Sequence, residues 1–315
     1  MKYRLGTRKS ELALKQSESI QKLLEKKGCL TELVLIESEG DTQTSKPLYE
    51  IEGDGPGLFT KRLEKALLER KVDLAVHSLK DLPTLQPPGL KVAATPKRES
   101  VSDCLVLLED HFEASQYLGL KEKAVVGTSS LRRQAQLKAV RPDLEVISLR
   151  GNVPTRLNAV RSGKVDAVVL AEAGLNRLGT SLEGFRKQTL PLDRFVPAPG
   201  QGALAIEVRE DCPKDLLEAI HTLNDAGAEL ATRIERRILR ELEGGCTLPL
   251  GVLCQKDGKS LKVNAFLGVV AGGKGPQKGP VLWDSFHRFD ILGTVEHTLV
   301  SQTVEYFRSR AHANQ

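Results

Sequence analysis

Apolar and polar positions along the first eighty residues switch between two periods. Residues 2 to 8 read as a strand, and Ser10 stands where it can cap a helix whose apolar positions Leu12, Ile20, Leu23 and Leu24 share one face. Leu33 to Ile36 is the next strand. A polar, glycine-rich stretch from about Ser38 to Gly57 follows, too long and unpatterned for an ordinary connector, and it reads as a loop or lid. Phe59, Leu63, Ala66 and Leu67 then recur at helical spacing. Val72 to Val76 is a continuous apolar run, as in a strand covered on both faces.

Between about 121 and 178 the pattern repeats: strand Ala124 to Val126, helix from Ser130, strand Leu144 to Leu149, helix from Asn152, strand Val165 to Leu170, helix from Ala171. Such a βαβαβ series predicts a mostly parallel sheet. The Pro-rich segment from Leu190 to Gly200 reads as a domain crossover or hinge, and Ala203 to Val208 as another strand. Leu230, Ile234, Ile238 and Leu242 mark a long amphipathic helix that stops at Gly244-Gly245. Beyond it, Leu250 to Cys254, Leu261 to Val270 and Val281 to Phe289 read as antiparallel strands, closed by a helix from about Leu292 to Arg310. At 315 residues the chain is long for one core, and three domains are expected, the last a small α+β unit.

Composition narrows the class. With 40% hydrophobic and 28% charged residues the chain is neither disordered nor membrane-embedded in type. The N-terminus runs into strand-like sequence without a signal-peptide pattern, so a cytoplasmic location is the expectation. Five cysteines without a C-x-x-C pair argue against a zinc site and a disulfide framework. The net charge of +5 favours an anionic partner without saying which.

Charge placement is more telling. Arg132 and Arg133 follow Gly127-Thr128-Ser129-Ser130, Arg150 precedes Gly151-Asn152 with Arg156 one turn on, and Arg8 follows the first strand. Each stands where a strand ends and a helix begins, the place at which open α/β sheets bind ligands and helix N-termini attract anions. Arginine adds a fork that holds a carboxylate through two hydrogen bonds. A solvated basic face is the alternative. Asp81, in His77-Ser78-Leu79-Lys80-Asp81-Leu82-Pro83, is either a turn residue or a carboxylate able to stabilise a developing cation, and His77 reads as a hydrogen-bonded core residue. Cys246 follows the C-terminus of the long helix, whose dipole opposes thiolate formation, so it is either an inert small residue or an attachment point used once. The partial P-loop match at Gly268 to Lys274 lacks the metal-binding Ser or Thr and the strand-loop-helix setting, and Gly53, Gly55 and Gly57 do not form a dinucleotide fingerprint.

Taken in order, several motifs resemble the porphobilinogen deaminase family over nearly the whole chain. They are Gly6-Thr7-Arg8-Lys9-Ser10, Asp73 through Pro83, Val126 through Gln134, Leu149 through Leu157, Ala173 through Gly179, Pro199-Gly200-Gln201-Gly202-Ala203 and Glu243-Gly244-Gly245-Cys246. The resemblance implies two α/β domains of the periplasmic-binding-protein type with a cleft between them, plus the small C-terminal α+β domain. The expected boundaries are 1–100 with 201–221, then 101–200, then 222–315. It further implies a dipyrromethane cofactor in thioether linkage to Cys246. Porphobilinogen would lose ammonia to leave an azafulvene, and four units would be joined head to tail into hydroxymethylbilane, as in haem biosynthesis. Asp81 matches the family's catalytic aspartate. Arg8, Ser10, Lys80, Ser130, Arg132, Arg133, Arg150, Arg156 and Arg177 match positions that bind acetate and propionate groups, while Phe59 and Gln201 fall at the lid and cleft. A monomer acting on a small molecule, without metal, nucleic acid or membrane, is expected. A lysine that many relatives carry is missing from Gly53-Asp54-Gly55-Pro56-Gly57-Leu58-Phe59, so the loop would act as a cover that positions Phe59 rather than as a cation. The rival readings are a non-catalytic binding protein of the same architecture, which would need neither Cys246 nor Asp81, and a nucleic-acid binder, which should show a basic stripe.

Overall fold

The structure, a computed structural model, describes residues 2–36, 60–242, 248–271 and 281–311. The first lobe opens with β1 (Lys2–Arg8), α1 (Glu11–Glu25), β2 (Leu30–Ile36), α2 (Lys61–Leu68), β3 (Leu74–Ser78) and β4 (Leu90–Ala94). A second lobe follows with β5 (Asp103–Leu108), β6 (Val125–Gly127), α3 (Leu131–Val140), β7 (Glu145–Ile147), α4 (Val153–Arg161), β8 (Ala167–Ala171), α5 (Glu172–Leu178) and β9 (Phe185–Thr189). The chain then returns to the first lobe through β10 (Leu204–Arg209) and α6 (Lys214–His221). It ends in α7 (Ala226–Glu241), β11 (Leu250–Asp257), β12 (Ser260–Val270), β13 (Trp283–Gly293) and α8 (Glu296–Ala311).

Local chemistry accounts for many of these elements. Ser10 caps α1, its side chain accepting from the Ala13 N–H, and Asn152 does the same for α4 toward Thr155. The buried face of α1 is Ala13, Gln16, Ser17, Ile20 and Leu24. Leu23, expected on that face, is 39% exposed. The four-residue step from Ile20 to Leu24 aligns with Ala13 and Ser17, which turns Leu23 to solvent.

Both sheets are mixed rather than mostly parallel. The first runs β2-β1-β3-β10-β4 and the second β7-β6-β8-β5-β9. In each, three strands pair in parallel, and the remaining two pairings, β3 with β10 and β10 with β4, or β8 with β5 and β5 with β9, are antiparallel. The βαβαβ expectation covered only the parallel half. Strands β4, β5 and β9 lie outside the strand–helix series. The first core gathers Leu5, Ile20, Leu74, Ile206 and Ile220, and the second Leu105, Val126, Leu137, Val169 and Phe195. The third unit is the antiparallel sheet β11-β12-β13 packed on α7 and α8 through Ile234, Ile238, Val252, Val263, Leu299 and Phe307. No helix among the described residues is long and apolar enough to cross a membrane.

The two connections between lobes lie side by side. Arg98 Nε donates to the Gln201 carbonyl at 2.8 Å, the Glu99 N–H to the Gly202 carbonyl at 3.1 Å, and Gln201 Nε2 to the Val101 carbonyl at 2.8 Å. Gly202 is required there: at φ +84° a Cβ would stand 2.5 Å from the Glu99 and Ser100 carbonyl oxygens.

Candidate functional site

Parallel pairing brings the carboxyl ends of strands to one edge of each sheet. In the first lobe β1 ends at Arg8, and β3 runs into a 3-10 turn over Leu79–Asp81. In the second, β6 leads through Thr128 to Ser130 into α3, and β7 leads through Arg150 into α4. The returning crossover lies against the Lys80 turn. The Leu79 N–H donates to the Ala203 carbonyl at 3.0 Å, and a Cβ on Gly200 would stand 3.3 Å from Lys80 N.

A buried carboxylate organises the second-lobe side. Asp103, fully buried at the start of β5, accepts from Arg132 Nη1 at 2.7 Å on one oxygen. On the other it accepts from Arg133 Nη2 at 2.7 Å, Arg133 Nε at 3.2 Å and Gln201 Nε2 at 2.9 Å. Burial opposes this charge, but the two guanidiniums outweigh it and hold the carboxyl well below the usual range. Arg132 Nη1 also donates to the Val196 carbonyl at 2.8 Å and Arg133 Nη1 to that of Val169 at 3.0 Å.

The residues singled out in the sequence take up the following places. Arg132 and Arg133, expected to offer their forks to ligand carboxylates, are both buried and bonded to Asp103, with every nitrogen of Arg133 engaged. Gln201, expected at the lid or cleft, is fully buried, its amide bonded to Val101 and Asp103. It joins the crossovers. His77 is a core residue, its Nε2 2.9 Å from Glu207 Oε2. Ser10 caps α1, while Ser130 opens α3 without a side-chain cap.

Further cations stand near these arginines. Lys80 keeps some open surface, but protein packed round its ammonium pushes its pKa down to about 8. The attraction of Asp81 and Asp103 partly offsets that burial, and Arg133 and Arg132 add repulsion. Arg156, half-buried with Nε on the Gly151 carbonyl at 2.8 Å, is lowered to about 10 by desolvation and by repulsion from Arg133 and Arg150. Arg150 is half-buried beside it, its pKa lowered by desolvation. Arg177 donates to the Gly202 carbonyl at 2.7 Å and so sits on the crossover. Cys246, Phe59 and the 42–57 loop lie outside the described residues.

Sequence reasoning passed over three residues that tie this region together. Asp103 is one. Glu235 on α7, also fully buried, accepts from Arg98 at 2.8 and 2.9 Å, from the Gly200 N–H at 2.8 Å and from the Cys254 N–H at 2.9 Å. It thereby joins both crossovers to β11. The third is Arg236, which donates to the carbonyls of Leu79 and Leu82 at 2.9 and 2.8 Å and of Pro83 at 2.6 Å. The signal for both α7 residues was a run of charge on a face otherwise read only for its leucines and isoleucines. A cavity of about 490 Å³ lies not at the cation cluster but between α7 and β4, lined in part by Thr84, Gln86, Arg233, Arg236, Arg237 and Arg240.

Among solved structures, the second substrate binding domain of a putative amino acid ABC transporter from Streptococcus pneumoniae covers 70% of this chain and 90% of its own at a TM-score of 0.43 and 12% identity. That likeness is too distant to argue from. Sequence comparison is decisive. The family model for the porphobilinogen deaminase dipyromethane cofactor binding domain matches residues 3–216, and that for the porphobilinogen deaminase C-terminal domain matches residues 230–277. A probable porphobilinogen deaminase of Methanosarcina barkeri is 42% identical over 83% of this chain and 80% of its own length. The porphobilinogen deaminase of Campylobacter concisus is 43% identical over 85% of each. One of Methanocella arvoryzae, also described as probable, is 44% identical over 82% of each. With a single model spanning more than half of its length and relatives this similar across most of the rest, the chain belongs to the porphobilinogen deaminase family.

Proposed function

We propose that the chain is a transferase that joins porphobilinogen units into hydroxymethylbilane on a dipyrromethane held through Cys246, with Asp81 as its catalytic carboxylate. The observation that carries this reading is the excess of cations at the strand ends. Among the described residues, the carboxylates whose attraction acts on Lys80 are Asp81 and Asp103, that on Arg132 is Asp103, and Arg156 feels repulsion from Arg133 and Arg150. Repulsion of that kind favours an anionic occupant, and dipyrromethane and porphobilinogen both carry acetate and propionate groups. The residues therefore fit the group.

When bound, the dipyrromethane supplies the pyrrole end from which the product is built. The chain's own residues do the rest. Lys80, Arg150 and Arg156 hold carboxylates directly, with Arg8, Ser10, Ser130 and Arg177 at the margins. Arg132 and Arg133, fixed by Asp103, add a positive field that needs no reorganisation. Departure of ammonia from porphobilinogen leaves positive charge on that substrate's pyrrole. Asp81, as a carboxylate next to Lys80, offsets this charge and exchanges a proton with the pyrrole N–H. Cys246 serves as a single attachment point. A monomer working in the cytoplasm on a small-molecule substrate fits this chemistry, with no role for a metal, nucleic acid or a membrane.

The test is an intact mass under denaturing conditions. A covalent excess equal to one dipyrromethane, mapping to Cys246 and absent from Cys246→Ser, is expected. An unmodified parent chain, or a modification on Cys254, would overturn the attachment and favour a binding protein of the same architecture.

A further inference from the structure

The turn that carries Lys80 and Asp81 belongs to the first lobe, but its carbonyl side is held from elsewhere. Within the turn the Leu82 N–H reaches the Leu79 carbonyl at 3.3 Å, and the crossover contributes the bond from the Leu79 N–H to Ala203. The carbonyls of Leu79, Leu82 and Pro83, which bracket Lys80 and Asp81, all accept from one guanidinium, that of Arg236. Arg236 makes no ion pair among the described residues. It is half-buried, and desolvation lowers its pKa to about 10, with Glu207 the favourable charge. A planar fork bound to three neutral oxygens fixes both the distance and the orientation of the backbone it grips, which an ammonium cannot do.

Arg236 itself sits on a rigid base. Its neighbours Ile234 and Ile238 are fully buried in the third core, and Glu235 ties the same turn of α7 to Arg98, Gly200 and Cys254. We infer that Arg236 is a positioning residue: it fixes the backbone of the Lys80–Asp81 turn of the first lobe to α7 of the third unit. The inference rests on the role proposed above for Asp81. It gives α7 a task beyond packing, since the backbone around Asp81 is held by the third unit and not only by its own sheet.

Purified holoprotein tests this with Arg236→Gln, Arg236→Lys and, as control, Arg233→Gln. Arg233 lines the same cavity but pairs with Glu296 and Glu229 rather than with the turn. Arg236→Gln is expected to keep the dipyrromethane mass, raise amide exchange in residues 78–83, and lower kcat at least about tenfold with KM within about threefold, because small misplacements of a reacting group are costly. Arg236→Lys should recover only part of both effects, and Arg233→Gln should show neither. Arg236→Gln made in an Asp81→Asn background should lose less than about twofold more, since both changes act on one group.

Unchanged exchange at the turn, losses that multiply in the double variant, full rescue by lysine, or loss of the cofactor mass would each overturn the inference. If Arg236→Gln does not fold, Arg236→Lys carries the same comparisons. Near-normal turnover in Asp81→Asn alone defeats the functional reading and takes this inference with it. That case is recognisable because the exchange difference at the turn would persist.

Discussion

The two lobes share a strand order and place a fully buried carboxylate on the same strand of it. Glu207 lies on β10 and Asp103 on β5, each the fourth strand of its sheet and antiparallel to both neighbours. Their partners differ. Glu207 meets His77, and among the described residues its second oxygen has no hydrogen bond. Asp103 meets two guanidiniums that keep their charge at any ordinary pH, and both its oxygens are engaged. One lobe buries a carboxylate against a single imidazole, while the other buries an anion outnumbered by cations. Identical topology thus yields a quiet core contact on one side and, on the other, a net positive wall facing the Lys80–Asp81 turn. Fold sets where charge can stand, and the residues chosen set what it does.

The sharpest way to break this contrast is Asp103→Ala. It leaves Arg132 and Arg133 buried without their anion, and a loss of about 3–5 kcal/mol in denaturant unfolding is expected. The wild-type contribution has a definite pH sense. Because the folded carboxyl titrates below its unfolded value of 3.8, its stabilisation is fully present above that value and disappears as pH falls through the lower folded one. A change under 1 kcal/mol in Asp103→Ala would mean that the arginines find other partners.

Asp81→Asn comes next. It keeps shape while removing charge, and a drop of about 10²-fold in turnover, or about 2.7 kcal/mol, is expected with substrate binding less affected. Equal losses in kcat and affinity would move Asp81 from the chemistry to the binding wall.

Glu207→Gln supplies the first-lobe counterpart to Asp103. Glutamine still bonds to His77, and a destabilisation of about 1–2 kcal/mol in the same unfolding assay is expected. A loss as large as that of Asp103→Ala would erase the contrast.

The smallest effect concerns Lys80, which joins the lobes electrostatically. Between about pH 8 and 10.5 the folded protein binds less of this proton than the unfolded chain, so this residue makes stability rise with pH across that window. Its charge, and with it its pull on carboxylates, is lost through pH 8. Porphobilinogen affinity should weaken by less than about tenfold from pH 7 to 9, a step that Lys80→Met should abolish. An unchanged step in that variant would assign the titration elsewhere.

How much of this was legible in the sequence follows from the range of each signal. Ser10 and Asn152 could be read because a cap bonds to a backbone N–H only three residues away. The parallel strands were legible because each is announced by its helix. Strand β9, Phe185-Arg186-Lys187-Gln188-Thr189, has one buried residue and sits at a sheet edge, so it carries no hydrophobic period to read. The positions of Arg132 and Arg133 could be marked, but not their commitment to Asp103, which lies 29 and 30 residues upstream. An aspartate ahead of an apolar run looks like a turn until the fold supplies its arginines. The clamp from Arg236 to Leu79 spans 157 residues and leaves no local trace at either end.

The place of β10 has a consequence for how the molecule is made. All the strands of the second sheet fall between residues 103 and 189, whereas the first sheet has a gap between β3 and β4 that only residues 204–209 fill. On a ribosome the later lobe can therefore finish before the earlier one. During that interval β3 offers an open edge and β4 has no hydrogen-bonded neighbour, so the nascent first lobe is the part most exposed to mispairing. Release of β10 closes the sheet and ends that exposure in one event.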